Sequence, residues 1–296
     1  MKVAVTGASG LIGSALVPHL RARGDEVLTL VRRAPRAPGE VRWDPDAGDV
    51  DLAGLAGTDA VVHLSGAGVG DQRWTEEYKQ LILTSRVNST RTIATAMAAL
   101  DPLPSVLVSG SAMGIYGDRG DEQLSEQSAP GEGYFPDVVT AWEAAADPAR
   151  EAGIRVASTR TSLVMSRTGG AFGRLVPLVR LGLGGPLGSG RQWWSWLTLH
   201  DDVRARAFLL DNDVSGPVNL SSPQPLPQRD IAAALGRAAH RPAVLPVPAF
   251  VLRAVIGEFA SDILASARML PTVLTDAGFT FEHPDIESAA RWTLGH

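Results

Sequence analysis

Apolar residues in this chain gather in two kinds of run that alternate. One kind is short and rich in β-branched residues, at 3–5, 26–31, 41–44, 60–64, 105–109 and 155–161, with a late one at 218–220. Short runs of this composition, bounded by turn residues, predict strands. The other kind repeats at helical spacing. Leu11, Ile12, Ala15, Leu16 and Leu20 share a face that Gly24 ends, residues 74–100 carry Leu81, Val87, Ile93 and Met97, and residues 138–152 enclose Trp142-Glu143. The alternation predicts an α/β fold built on a doubly wound parallel sheet. Beyond residue 165 the style changes. Gly169, Gly170, Gly173, Gly182, Gly184, Gly185, Gly188 and Gly190 interrupt short apolar runs, and a tryptophan-rich stretch follows at 192–202. A helix over 228–239 and apolar segments at 250–256 and 263–270 complete a smaller, more helical C-terminal part. The expected division is 1–165 and 166–296, with segments near 196–220 returning to the first.

The first strand-to-helix junction carries the sharpest signal. Thr6-Gly-Ala-Ser-Gly-Leu-Ile-Gly13 sets three glycines straight after a strand and into a helix. Such a turn lets the backbone approach a pyrophosphate and aims the unpaired N–H groups of the helix at it. Thr6, Gly7, Gly10, Leu11, Ile12 and Gly13 are therefore candidate cofactor residues. The spacing is G-x-x-G-x-x-G, not the commoner G-x-G-x-x-G, so its placement matters more than the pattern. At the end of the second strand an NAD site would place an acid to accept from the ribose hydroxyl. Arg32 and Arg33 stand there instead, and a guanidinium can hold a 2′-phosphate bidentately. The expected cofactor is NADP. Asp44, closing the third strand, is open between a contact to the adenine and a turn cap. The small residues at 65–70 would permit close backbone approach to a cofactor.

Composition narrows the partners. A chain of 296 residues suits one large or two intimate domains, and its net charge of −5 offers no basic field for nucleic acid and no polybasic membrane patch. The absence of cysteine excludes disulfides, thiol catalysis and thiolate metal sites. The six histidines do not fall at metal-ligand spacing, so no metal is expected. With no charged-then-apolar leader and no long apolar span, a cytoplasmic location without membrane contact is expected.

Further motifs sharpen the picture: Asp59-Ala-Val-Val-His-Leu64, Ile115-Tyr-Gly117 and His200-Asp-Asp202. With the opening turn, they resemble the extended short-chain dehydrogenases/reductases. Arg73-Trp-Thr75, Ser85-Arg86, Trp142-Glu143, the glycine-rich stretch 182–190, Leu245-Pro-Val-Pro248 and Ala277-Gly-Phe279 resemble one epimerase-like, NADP-binding subfamily. Its bacterial members are often labelled nucleoside-diphosphate-sugar epimerases or cell-division inhibitors. The resemblance implies a Rossmann-like domain with NADP across the sheet edge and a smaller, mostly helical C-terminal substrate region. It carries over Gly7, Gly10, Gly13 and Arg32 as cofactor residues, places Leu64, Ser65 and Gly66 on the nicotinamide side, and makes Arg86 cofactor-facing. Relatives usually carry a glutamate where this chain has Ala67.

The chemistry departs from the superfamily's. Reductases of this type use a tyrosine and a lysine four residues apart on one helix, the lysine lowering the tyrosine pKa. Lysine occurs here only at Lys2 and Lys79, and the residue four before Lys79 is Thr75, so no such pair exists. Aligning on Glu143 puts Phe135 and Val139 at the two positions, and Arg86 where an asparagine is usual. Ser111 remains as a catalytic candidate, with Tyr116 as a possible proton donor. Tyr134 could swing in, Arg86 could supply positive charge, and His200 and Lys79 are further titrating groups. The expectation is an NADP(H)-dependent oxidoreductase or epimerase-like enzyme acting on a small polar substrate with a non-standard catalytic set. The alternative is an NADP(H)-binding redox sensor without turnover.

Overall fold

In the computed structural model, which describes residues 1–295, the alternating runs assemble into one eight-stranded sheet. Its strands are β1 (Lys2–Val5), β2 (Glu26–Val31), β3 (Glu40–Asp44), β4 (Asp49–Val50), β5 (Ala60–His63), β6 (Val106–Ala112), β7 (Arg155–Thr161) and β8 (Gly216–Leu220). They lie side by side in the order β8-β7-β6-β5-β1-β2-β3-β4, all parallel except the β3/β4 pair. The chain winds outward from β1 through β2 and β3, then returns to the other side of β1 with β5. That reversal opens a crevice at the carboxyl ends of β1 and β5, where open α/β sheets bind ligands.

β1 shows why the sheet is covered on both sides. Val3 and Val5 point into one core with Leu16, Leu20 and Val62, whereas Ala4 points into the other with Leu28, Ile93 and Met97. Successive strand residues face opposite ways, so an unbroken apolar run needs two cores. Helices α1 (Leu11–Ala22) and α5 (Leu199–Asp211) cover the first face. Helices α2 (Glu76–Ala98) and α4 (Asp147–Glu151) cover the second. Helix α2 starts at a cap: the Thr75 side chain accepts from the Tyr78 N–H, and Glu76 and Glu77 occupy the first turn.

One predicted helix divides. The expected run over 138–152 forms α3 (Tyr134–Ala144) and then the separate α4. Pro148 lacks an N–H and its ring would crowd the carbonyl of Ala144, so one continuous helix cannot cross it. The C-terminal part packs by close backbone approach. A Cβ on Gly185 would lie 1.9 Å from the Leu245 carbonyl oxygen, and Leu187 bridges to Val247. The glycine-rich stretch and Leu245-Pro-Val-Pro248 are thus two halves of one packing unit. No helix among the described residues is long and apolar enough to cross a membrane.

Candidate functional site

The glycine turn separates into two jobs. A Cβ on Gly7 would lie 2.7 Å from the Leu64 carbonyl oxygen, and one on Gly13 would lie 2.3 Å from that of Gly7. Both positions are bare so that β1, α1 and the chain leaving β5 can close on each other. Gly7 also has φ of +64°, which a side chain would strain. Gly10 differs. Its φ is −75°, it is exposed, and an added Cβ would meet only the Gly7 oxygen, at 3.3 Å. It begins α1 without a side-chain cap, and no acid occupies the first turn. Among the described residues the N–H groups of Leu11, Ile12 and Gly13 find no acceptor. An uncapped helix start at the switch point of the sheet, with open space over Gly10, is a cradle that fits a pyrophosphate.

The second wall is the chain leaving β5, held by Thr6, His63 and the Ser85-Arg86 pair together with Ser89, which sequence reasoning did not single out. The Leu64 N–H donates to Thr6 Oγ1 at 3.0 Å, and that hydroxyl lies 2.8 Å from His63 Nδ1. Ser89 Oγ spends its proton on a backbone carbonyl, so it accepts from the His63 Nε2–H at 3.3 Å, and the unprotonated Nδ1 accepts from the Thr6 hydroxyl. Ser89 passes its own proton to the Ser85 carbonyl at 2.6 Å. Complete burial pushes His63 down to about 3, so it is neutral and acts as a connector. Ser85 Oγ then accepts from the Ala67 N–H at 3.1 Å, while Arg86 Nη1 donates to the Ala67 carbonyl at 2.9 Å and to that of Ile82 at 3.0 Å. Ser85-Arg86 therefore grips both sides of residue 67 and fixes the loop that carries Leu64, Ser65 and Gly66. The Arg86 guanidinium also lies over Trp142, 5.0 Å from the ring centroid.

At the end of β6 the catalytic candidates join a network. Ser111 Oγ donates to Glu143 Oε1 at 2.6 Å. The same carboxylate accepts from Arg160 Nε at 2.9 Å and Nη2 at 3.1 Å. Arg160 Nη1 donates to the Tyr116 hydroxyl at 3.1 Å, and Tyr116 donates to Asn219 Oδ1 at 2.7 Å. This corrects the expectation for Tyr116. Its side chain is fully buried, burial pushes its phenol up, and its hydroxyl is spent on core partners, so no proton faces a substrate. Tyr134 is likewise committed, donating to the Lys79 carbonyl at 2.7 Å. Val139 is buried, and Phe135 packs beside Gly114 and Trp74. The tyrosine and lysine positions are thus apolar, and Glu143 and Arg160 form the charged pair closest to Ser111.

The remaining candidates separate cleanly. Arg33 forks onto Glu40 at 2.7 and 2.5 Å and holds that carboxyl down at about 2, whereas Arg32 is exposed and has no side-chain partner among the described residues. Asp44 accepts from the N–H groups of Asp46 and Ala47, which makes it a turn cap. His200 pairs with Glu282, Asp201 accepts from the backbone of Glu282 and His283, and Asp202 pairs with buried Arg206. His200-Asp-Asp is therefore a structural start to α5, with Thr198 as its cap. Trp194 and Trp196 are core, while half-buried Trp193 bonds Asp121. No cluster of potential metal ligands occurs among the described residues.

Comparison with known proteins identifies relatives along the whole chain. Residues 3–221 match the model of the NAD dependent epimerase/dehydratase family, and 247–293 match a domain of unknown function, DUF1731. An epimerase family protein of Mycobacterium bovis is 42% identical over 289 residues, which covers 97% of this chain and 95% of that protein. The mouse epimerase family protein SDR39U1 is 36% identical over 298 residues, covering 98% and 99%. The human epimerase family protein SDR39U1 (isoform 2), whose crystal structure was determined with NADPH, superposes with a TM-score of 0.91 at 31% identity and 99% coverage of both chains. A family match over most of the chain, and relatives that align from end to end, show that it belongs to the NAD dependent epimerase/dehydratase family, within the extended short-chain dehydrogenases/reductases.

Proposed function

We propose that this chain is an NADP(H)-dependent oxidoreductase or epimerase-like enzyme that acts on a small polar substrate without a tyrosine–lysine pair. The observation that carries it is the uncapped glycine turn at the switch point, with unpaired Arg32 at the end of β2. Thr6, Gly7, Gly10, Leu11, Ile12 and Gly13 would cradle the pyrophosphate, and Arg32 would hold the 2′-phosphate. Arg33, tied to Glu40, would shape that corner. Leu64, Ser65, Gly66 and Arg86 would flank the nicotinamide end. The bound cofactor supplies hydride transfer. Ser111 gives its proton to Glu143, so its oxygen is left as an acceptor for a substrate hydroxyl. Glu143, fixed by Arg160, keeps Ser111 in that orientation. Apolar Phe135 and Val139 favour a second reading, a redox sensor that binds NADP(H) without turnover.

Fluorescence titration of the protein with NADPH and NADH tests the cofactor assignment, and the expected outcome is at least about tenfold tighter NADPH. Equal affinities would remove it. Following NADPH absorbance across aldehydes, ketones, enones and nucleotide sugars then separates enzyme from sensor, since silence across all four classes favours the sensor.

A further inference from the structure

Arg86 is a cation without a counter-ion. Two of its five N–H groups go to the Ala67 and Ile82 carbonyls, both from Nη1. The Nε–H and the two Nη2–H groups have no partner among the described residues, yet neither nitrogen is sealed from solvent. Among the described residues no carboxylate forms an ion pair with it, and Tyr78, Tyr134 and Trp142 are its aromatic neighbours. Burial pushes Arg86 down to about 10. The two buried arginines of the sheet region are neutralised, Arg160 by Glu143 and Arg206 by Asp202, whereas half-buried Arg86 has no such partner among the described residues. A half-buried cation whose free edge opens to solvent and meets no carboxylate is available to an anion from outside the chain.

The free edge also has the right shape. Nε–H and one Nη2–H form a parallel fork, the edge with which arginine takes a carboxylate or phosphate through two bonds. Its place is fixed by geometry. Arg86 stacks on Trp142, the residue before Glu143, and Glu143 holds Ser111. A Cβ on Gly66 would meet the Arg86 side chain at 3.2 Å, so the guanidinium stands beside the chain leaving β5. We propose that the Nε/Nη2 edge of Arg86 is an anion subsite of the substrate half of the cleft, so that the substrate carries a carboxylate or phosphate. This deepens the cofactor reading above and rests on it for the location of the substrate.

The test reads arginine Nε–H resonances in ¹⁵N-labelled protein while acetate or inorganic phosphate is titrated into the apo and NADP⁺-loaded forms. Arg86→Met and Arg86→Lys assign the resonance, and acetamide is the uncharged control. The expected result is one resonance, missing from both variants, that shifts saturably with acetate or phosphate in the loaded protein and ignores acetamide. A shift in the apo form alone would mean that the cofactor's own phosphate takes the edge, which overturns the substrate subsite. No shift in either form overturns the anion site altogether. Should Arg86→Met fail to fold, Arg86→Lys keeps the charge, removes the fork and still assigns the resonance. NADPH affinity is measured separately on wild-type protein. A protein that shows the anion shift but binds no NADPH retains the anion site and loses the cofactor reading.

Discussion

Ser111 donates its hydroxyl proton to Glu143 at 2.6 Å, and Glu143 is itself forked by Arg160. The orientation of Ser111, the proposed catalytic residue, is therefore set by a charge pair on two other elements, α3 and β7. Replacing Glu143 with glutamine would keep the shape and leave Arg160 buried without its counter-charge. Removing one partner of a buried pair costs about 3–5 kcal/mol, whereas Ser111→Ala removes one hydrogen bond at a cost of about 1–2 kcal/mol. Urea unfolding of Glu143→Gln, Arg160→Met and the double variant is expected to show strong coupling, the double variant losing far less than the sum of the singles. Additive losses would mean that the pair does not support the site.

How much of this was legible in the sequence depends on distance along the chain. The strands around β1 and the glycine turn are local patterns, and the structure places them as read. Arg160 was hidden because it sits within a buried strand among small residues, and its partners lie at 116, 126 and 143. A lone arginine in a buried strand was the available signal: a charge there requires a partner from another element. The glycines of 182–190 read as interruptions of short apolar runs. Their spacing could not reveal that Gly185 is bare to admit the Leu245 backbone. Spacing alone treats Arg32 and Arg33 alike, and it is the Glu40 pair of Arg33 that separates them physically.

Buried His63 and half-buried Asp262 are expected to oppose each other in acid. His63 has a folded-state value of about 3 against an ordinary 6.5, so the unfolded chain binds the extra proton between those values and stability falls as pH drops through that window. Asp262 is pushed up by burial, with Glu258 adding, to about 7 against 3.8. Its folded form binds the extra proton between 7 and 3.8, so stability rises as pH drops through that range. Each contributes at most about 1.4 kcal/mol per pH unit. The wild-type unfolding free energy should therefore vary little between about pH 4 and 6 from these two groups. Asp262→Asn removes the opposing member and should expose a clear loss on acidification, and an unchanged pH profile in that variant would refute the assignment.

The two arginines at the end of β2 should separate in cofactor binding. Arg32 is free to meet a 2′-phosphate, while Arg33 already spends its fork on Glu40. Arg32→Ala is expected to weaken NADPH about tenfold or more while leaving NADH nearly unchanged, the signature of a lost phosphate contact. Arg33→Ala should affect both cofactors alike and more weakly. A selective loss of NADPH in Arg33→Ala, with Arg32→Ala silent, would exchange the roles and would require the Glu40 pair to open on binding.

Gly10 and Gly13 make the strongest contrast, because the same substitution should act through different states. An alanine at Gly13 would drive its Cβ to 2.3 Å from a backbone oxygen and 2.7 Å from the Ala8 Cα, and neither atom can move without parting α1 from β1. Overpacking against backbone costs about 1–3 kcal/mol or more, so Gly13→Ala should lower the melting temperature whether or not cofactor is present. An alanine at Gly10 meets one oxygen at 3.3 Å with an ordinary φ, and at a helix start it costs about 1 kcal/mol or less. Its methyl group would instead stand over the unpaired N–H groups of α1. Gly10→Ala is therefore expected to melt close to wild type as the apo protein, to bind NADPH at least about tenfold more weakly, and to lose the stabilisation that saturating NADPH gives wild type. Differential scanning fluorimetry with and without NADPH reads all three. Equal NADPH stabilisation of Gly10→Ala and wild type would show that the phosphates do not sit on this turn.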